Sequence, residues 1–350
     1  MAVLGILSLP PELLYRILEL TVEGLPASLR LRSSILRTCA LVHPIFREPA
    51  QILLESKVQI DSYRRARAFM SRPRRLERPL VILELILFYD FNPVDDELFP
   101  LTEFMTRSLC EMDCTIRSLH LRSALFANAF DAKLLLLPSF RELEYLKLDL
   151  PLDPPIDVAT IPVRLKKLSL STMMDQPRSF FRTILPTSAE TLTSLHLFVV
   201  KSGSQLHEHI VETLPSITAN LRHLSISTHW ISLSESLLRF TTSCTSLESL
   251  ILSGVDVSQV LYLVSALSSA LTTLDFTIPS SSTWTDDQAQ SSFEQLLQFS
   301  SLESAREISI TQRLETGAER MQGPSKVVEM RGRPGCLCTW ERTTSELLLT

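Results

Sequence analysis

The sequence predicts an α/β fold: a solenoid, a curved array of strand-plus-helix units, preceded by a small all-α block. Three observations predict it. A short leucine phrase recurs at near-regular intervals, the segments between its copies carry apolar residues at helical spacing, and roughly the first sixty residues have a different character.

The phrase is a leucine, two residues, a leucine, one residue, then leucine, isoleucine or phenylalanine. It reads Leu143–Leu146–Leu148, Leu165–Leu168–Leu170, Leu192–Leu195–Leu197, Leu221–Leu224–Ile226, Leu247–Leu250–Leu252 and Leu271–Leu274–Phe276. Looser copies stand at Leu80–Leu83–Leu85, Ile116–Leu119–Leu121 and Ala305–Ile308–Ile310. Starting positions differ by 36, 27, 22, 27, 29, 26, 24 and 34 residues, mostly inside the period of leucine-rich repeats. Alternate residues of a strand face opposite sides, so Leu119 and Leu121 point inward together while His120 points out. One repeat cannot cover its own leucines, and neighbours must stack. The array is expected over residues 80–312.

Between copies, Gln205 to Leu214 places Leu206, Ile210, Val211 and Leu214 on one helical face. Val257 to Leu267 does the same with Val260, Leu261, Val264 and Leu267, and Phe293 to Leu297 gives another apolar turn. Asp256 and Asp286 stand near helix starts, where a carboxylate accepts from free backbone N–H groups. Such an array is a surface for holding a partner and only rarely a catalytic pocket.

Composition fits a folded, core-rich chain of 350 residues, 45% hydrophobic with 8 glycines. The net charge of −5 gives no general reason to expect nucleic acid or an anionic membrane as partner. The best apolar stretch, Leu80 to Phe88, contains Glu84 and is about half the length a bilayer requires. The apolar N-terminus has no basic region and is interrupted by Pro10, Pro11 and Glu12, so no signal peptide is expected. Six scattered cysteines (Cys39, Cys110, Cys114, Cys244, Cys336, Cys338) read as reduced thiols of a cytoplasmic or nuclear protein.

Residues 1–60 read as three helices. Prolines at 10 and 11 preset a first turn, Glu12 suits the positive helix end, and Leu13, Leu14, Ile17 and Leu18 form an apolar stripe. A second helix fits Ile35 to His43, ended by Pro44, and a third fits Glu48 to Glu55. The run Leu9-Pro10-Pro11-Glu12-Leu13-Leu14, then Ile17-Leu18, then Cys39-Ala40-Leu41-Val42 and Phe46, resembles an F-box. Pro49 to Val58 looks like the end of that module in fungal-type members. The resemblance implies docking on a Skp-family adaptor, and through it a cullin, by Pro10, Leu13, Leu14, Ile17, Leu18, Val42 and Phe46. The other reading of residues 7–60 is a cap over the open core of the first repeat.

Residues 61–79 form an arginine-rich linker (Arg64, Arg65, Arg67, Arg72, Arg74, Arg75, Arg78). A helix from Tyr63 to Met70 would pack Ala66, Phe69 and Met70 inward and leave its arginines in solvent. Cys110 and Cys114, four apart, suit a helix as packing residues. In the tail, residues 313–350, Val327 to Met330 and Cys336 to Trp340 flank Arg-Gly-Arg-Pro-Gly, which suggests a closing hairpin. His120 and His196, three repeats apart, would lie about 14 Å from one another at strand spacing, too far for one zinc ion with ligands near 2 Å. No metal site, cofactor or catalytic residue is expected.

The resemblance and the repeats together imply a non-catalytic substrate receptor of a Skp–cullin–F-box ubiquitin ligase. The alternative is a leucine-rich-repeat scaffold that does not direct ubiquitin transfer. An unknown protein substrate is expected on the concave strand face. Its column would be Glu84, His120, Lys147, Ser169, His196, Ser225, Ile251, Asp275 and Ser309, with binding centred on Tyr145, Lys147, Lys167, His196, Phe198, His223 and Ile251.

Overall fold

A computed structural model describes residues 9–23, 29–71, 80–88, 109, 113–122, 130–149, 152–153, 161–172, 184–199, 217–228, 233–268, 270–278, 286–315, 326–329 and 336–345. The chain divides into two compact units, Met1–Leu125 with Leu134–Leu143, and Phe126–Lys133 with Glu144–Thr350. Both are α/β and built on parallel strands.

The first unit opens with α1 (Pro11–Glu23), α2 (Leu29–Val42) and α3 (Pro44–Ser56). Pro11 stands at the head of α1, and the N–H groups of Leu13 and Leu14 donate to the Pro10 carbonyl at 3.0 and 3.2 Å. The second helix begins six residues before the expected Ile35, and the third begins at Pro44 instead of Glu48. Proline at a first helical position forfeits only an N–H that has no partner there. His43 caps this start, its Nδ1 accepting from Ile45 N at 3.2 Å. The helices share a core of Leu18, Val22, Leu36, Ala50 and Leu53, with Tyr15, Ile35, Cys39 and Phe46 against it. Arg32 is buried and donates to the Leu53 carbonyl at 2.9 Å and to Ser56 Oγ at 3.5 Å. Its guanidinium thus meets an open carbonyl at the negative end of α3.

No loop separates α3 from β1 (Lys57–Ile60). Then come α4 (Tyr63–Met70), β2 (Leu80–Ile82), β3 (Glu84–Phe88), β4 (Cys114–Ile116) and β5 (Ser118–Arg122). In α4, Ser62 caps Arg65 N at 3.3 Å, Ala66 and Phe69 are buried, and Arg64, Arg65 and Arg67 are exposed. The strands β1, β3 and β5 run parallel, with Val58, Leu85 and Leu119 in one row and Ile60, Leu87 and Leu121 in the next. The pairing of β2 with β4 sets Ile82 beside Ile116. The first phrase is therefore Ile82–Leu85–Leu87, two residues later than Leu80–Leu83–Leu85, because only that register puts fully buried side chains in line. Cys114 belongs to a strand and not to a helix; its Sγ lies 3.7 Å from the Leu109 carbonyl and 3.6 Å from Ser139 Oγ. Cys110 lies outside the described residues.

The second unit contains β6 (Phe130–Asp131), β7 (Tyr145–Asp149), β8 (Leu152–Asp153), β9 (Lys167–Thr172), β10 (Ser194–Val199) and β11 (His223–Thr228). There follow α5 (Glu235–Ser243), β12 (Ser249–Ser253), α6 (Val257–Ala266), β13 (Thr273–Ile278) and α7 (Asp286–Leu296). The last described elements are β14 (Glu307–Glu315), β15 (Lys326–Glu329) and β16 (Leu337–Ser345). Its sheet runs β7-β9-β10-β11-β12-β13-β14-β16-β15, parallel except for the last pair. The expected Gln205–Leu214 helix lies outside the described residues. The tail strand β16 extends the parallel ladder on β14, which the hairpin reading alone did not anticipate; β15 is its antiparallel partner, with Val328 opposite Trp340.

Register makes the core. Leu146, Leu168, Leu195, Leu224, Leu250, Leu274, Ile308 and Cys338 form one continuous row, each at most 2% exposed. Loop backbone buried beside these rows needs partners, and hydroxyls supply them. Ser188 Oγ accepts from Leu165 N at 3.0 Å and donates to the Val163 carbonyl at 3.2 Å. Thr191 Oγ1 donates to the Leu165 carbonyl at 2.9 Å and Ser301 Oγ to that of Val264 at 2.6 Å. The Gln259 amide holds both backbone groups of Leu233, at 2.7 and 3.3 Å. In α6, Asp256 accepts from Ser258 N at 2.8 Å, and Val260, Leu263 and Val264 are buried.

Where β12 ends, Gly254 adopts φ +74° and donates to the Thr277 carbonyl at 2.9 Å. A Cβ there would stand 1.9 Å from the Thr228 carbonyl oxygen. Gly254→Ala should therefore destabilise the chain by more than about 1 kcal/mol, while Ser253→Ala changes little. Leu224→Ala, in the centre of the row, should cost about 2–5 kcal/mol. Urea unfolding of the three variants checks both expectations; a Gly254→Ala protein as stable as the parent would show that this close approach is absent.

Candidate partner-binding surfaces

Two surfaces carry the residues singled out from the sequence, one in each unit. On the helical block, Pro10, Leu13, Ile17 and Val42 are exposed, Leu13 by 51% and Val42 by 71%. Leu14 and Leu18 are not: they are 0% and 5% exposed, and Leu18 belongs to the core shared by α1–α3. Phe46 is half-buried against the same core. The stripe left outside thus runs Leu13, Ile17 and Leu20, with Pro10 at its head, a three-four-three spacing that stays on one helix face. Leu41, part of the run that resembles an F-box, is exposed too, as are Leu20 and Leu31, which the sequence reading does not single out. For Leu20 the signal was present, since it continues the spacing by one step.

On the sheet of the second unit, the residues between the buried ones form registered rows. One row is Tyr145, Lys167, Ser194, His223, Ser249 and Thr273; the next is Lys147, Ser169, His196, Ser225, Ile251, Asp275 and Ser309. Phe198 lies in a third row beside Ser171 and Ser227. Lys167 and His223 are exposed, and Tyr145, Lys147, His196, Phe198 and Ile251 are half-buried. The structure brings these seven onto one face. In the first unit, His120 pairs with Ile86 and not with Glu84, so Glu84 leaves the expected column by the same two-residue correction.

Charge gathers around Ser169. The Lys167 ammonium stands 5.0 Å from the centroid of the Tyr145 ring, a cation–π contact. Lys147 Nζ lies 3.9 Å from Asp149 Oδ2. Burial, and then the ammonium groups of Lys147 and Lys167, hold the His196 ring below its ordinary value of 6.5, with Asp149 acting weakly the other way. Ser169 Oγ is 3.5 Å from His196 Nδ1, longer than a nucleophile–base hydrogen bond, and Ser169 is only 4% exposed.

Two of the thiols are shifted. Burial pushes Cys244 up to about 12, and burial together with neighbouring Cys336 does the same to Cys338. The two tail sulfurs are 3.8 Å apart as free thiols. Among the described residues no three His, Cys, Asp or Glu side chains converge as metal ligands, and no helix is long and apolar enough to cross a membrane. No protein-family model and no curated protein matches the chain.

Because His196 is held low in the folded state, the unfolded chain binds its proton first as pH falls. The stability this ring contributes is therefore full above about pH 6.5 and declines below it. In a nuclear magnetic resonance titration His196 should titrate below 6.5, and Lys147→Gln should move its midpoint upward. An unchanged midpoint would mean that the ammonium does not act on the ring.

Proposed function

We propose that this chain is a leucine-rich-repeat solenoid carrying an F-box-like helical block, and that it serves as a non-catalytic substrate receptor of a Skp–cullin–F-box ubiquitin ligase. In this reading a Skp-family adaptor docks on α1–α3 and through it a cullin joins, a protein substrate rests on the polar strand face, and the complex works in the cytoplasm or nucleus. The observation that carries it is the apolar stripe Leu13–Ile17–Leu20 on a helix whose other face is already buried in a core of its own. Contiguous exposed apolar side chains of this kind mark an interaction site. The registered rows of half-buried polar and aromatic side chains support the second half of the reading, since aromatic anchors tend to dominate interfaces.

The contribution to rate would be proximity: holding the substrate near the ubiquitin-carrying enzyme raises effective concentration without any acid–base group in this chain. A cap over the first repeat would use the same helices, but a cap turns its apolar residues toward the array and has no use for an exposed stripe.

Leu13→Asp with Ile17→Asp should weaken binding of a recombinant Skp-family adaptor by about tenfold or more and leave the melting temperature nearly unchanged. Leu14→Asp should instead unfold the block, because it buries a carboxylate without a partner. Full binding by the double variant would remove the adaptor from the account. Adaptor binding without ubiquitin transfer to any bound protein would favour the scaffold.

A further inference from the structure

The polar strand face is not uniform: among the described residues positive charge concentrates around Ser169, and that says what kind of segment the face can hold. Ser169, a small side chain, sits in register between Lys147 on β7 and His196 on β10, with Lys167 two residues before it on the same face. Neighbouring strands lie about 4.8 Å apart, so these three nitrogen-bearing side chains ring one position. The Tyr145 ring holds the Lys167 ammonium from the side, and Phe198 adds an apolar flank diagonally across the strands. Further along, β13 and β14 put Asp275 and Glu307 on the same face, so the charge is polarised along the sheet.

We infer that the ring of Lys147, Lys167 and His196 around Ser169 binds a single carboxylate of an acidic, unphosphorylated peptide segment; the inference rests on the polar strand face being the partner-binding face. The count of charges selects a monoanion. Lys147 and Lys167 supply two positive charges and Asp149, 3.9 Å from Lys147, removes one. Burial and the two ammonium groups disfavour a proton on His196. The described groups thus leave about one positive charge before any proton is taken up, which matches a carboxylate one for one and leaves a phosphate dianion half compensated. Neither lysine offers the bidentate fork by which arginine grips phosphate. Tyr145 and Phe198 suit an apolar residue next to the acidic one. The chain as a whole carries −5 and repels acidic peptides in general, so binding of one would localise to this patch.

Proton uptake accompanies such binding. The groups facing His196 are Lys147 and Asp149 from β7, Lys167 from β9 and His223 from β11. A carboxylate placed among them offsets the two ammonium groups and raises the affinity of the ring for its proton. By linkage, protonation then tightens the peptide equally.

The test uses the full chain and three fluorescein-labelled peptides of one sequence alternating leucine with glutamate, glutamine or phosphoserine, read by fluorescence polarisation at low salt. The glutamate peptide should bind at least tenfold more tightly than the glutamine peptide, and no more weakly than the phosphoserine peptide. Lys147→Gln with Lys167→Gln should remove that preference at an unchanged melting temperature, and Lys147→Arg should keep it. Between pH 7.5 and 6.0 affinity should rise several-fold, and His196→Gln should abolish the rise. Equal binding of the glutamine peptide, or persistence of the preference in the double lysine variant, would overturn the assignment. A tenfold preference for phosphoserine would overturn the single-carboxylate reading. If the glutamate peptide fails while Phe198→Ala still releases a co-purifying substrate, the ligand class is wrong and the face is right. If neither responds, the face itself is misassigned.

Discussion

The sheet in each unit depends on strand register. A parallel ladder has no tight turn to fix its alignment, and a slip of one residue would turn every inward leucine to solvent. What holds the alignment is the leucine phrase itself. Two apolar positions per strand, two residues apart, meet their counterparts on the next strand from Leu146 to Cys338 and from Leu148 to Ile310. The same rule explains the placement of the first phrase in the helical unit, where Ile82 and Leu85 stand beside Ile116 and Leu119. Hydroxyls and one glutamine then satisfy the loop backbone that stacking would otherwise bury unpaired.

This division of labour leaves side chains over for partners. Core energy comes from the leucine rows, whereas the ion pairs at the strand entries, Lys166 with Glu144 and Arg222 with Glu248, are exposed and contribute at most about 1 kcal/mol each. The polar strand face and the outer stripe of α1 take no part in the shared cores. They are free to differ between proteins of the same architecture.

Much of this was legible in the sequence because periodicity is a physical signal. The leucine rows, α4 with its solvated arginines and α6 with its Asp256 cap follow from spacing alone. What escaped has physical reasons. Leu80, Leu83 and Leu85 satisfy the phrase as well as Ile82, Leu85 and Leu87 do, and only pairing with a distant strand decides between them. Val58 and Ile60 offer two apolar residues directly after a helix, too little to announce a strand. On α1, positions 13, 14, 17 and 18 are all apolar, so the helix has more apolar surface than one face. Packing of α2 and α3 selects the half with Leu18 and leaves Leu13 and Ile17 outside. Alternation along the strands did place Tyr145, Lys147, Lys167, His196, Phe198, His223 and Ile251 together, but which of them act as a group depends on side-chain charge and register.

In the proposed function α1 keeps its outer stripe for a second protein, while the strand rows stand complete without one. Amide hydrogen exchange of the full chain, with and without a recombinant Skp-family adaptor, tests it most directly. Slower exchange should be confined to peptides covering Pro11–Glu23 and Leu29–Val42, with those covering Ser194–Val199, His223–Thr228 and Ser249–Ser253 already protected and unchanged. Protection that bypasses α1, or strand peptides that exchange freely until the adaptor is added, would contradict it.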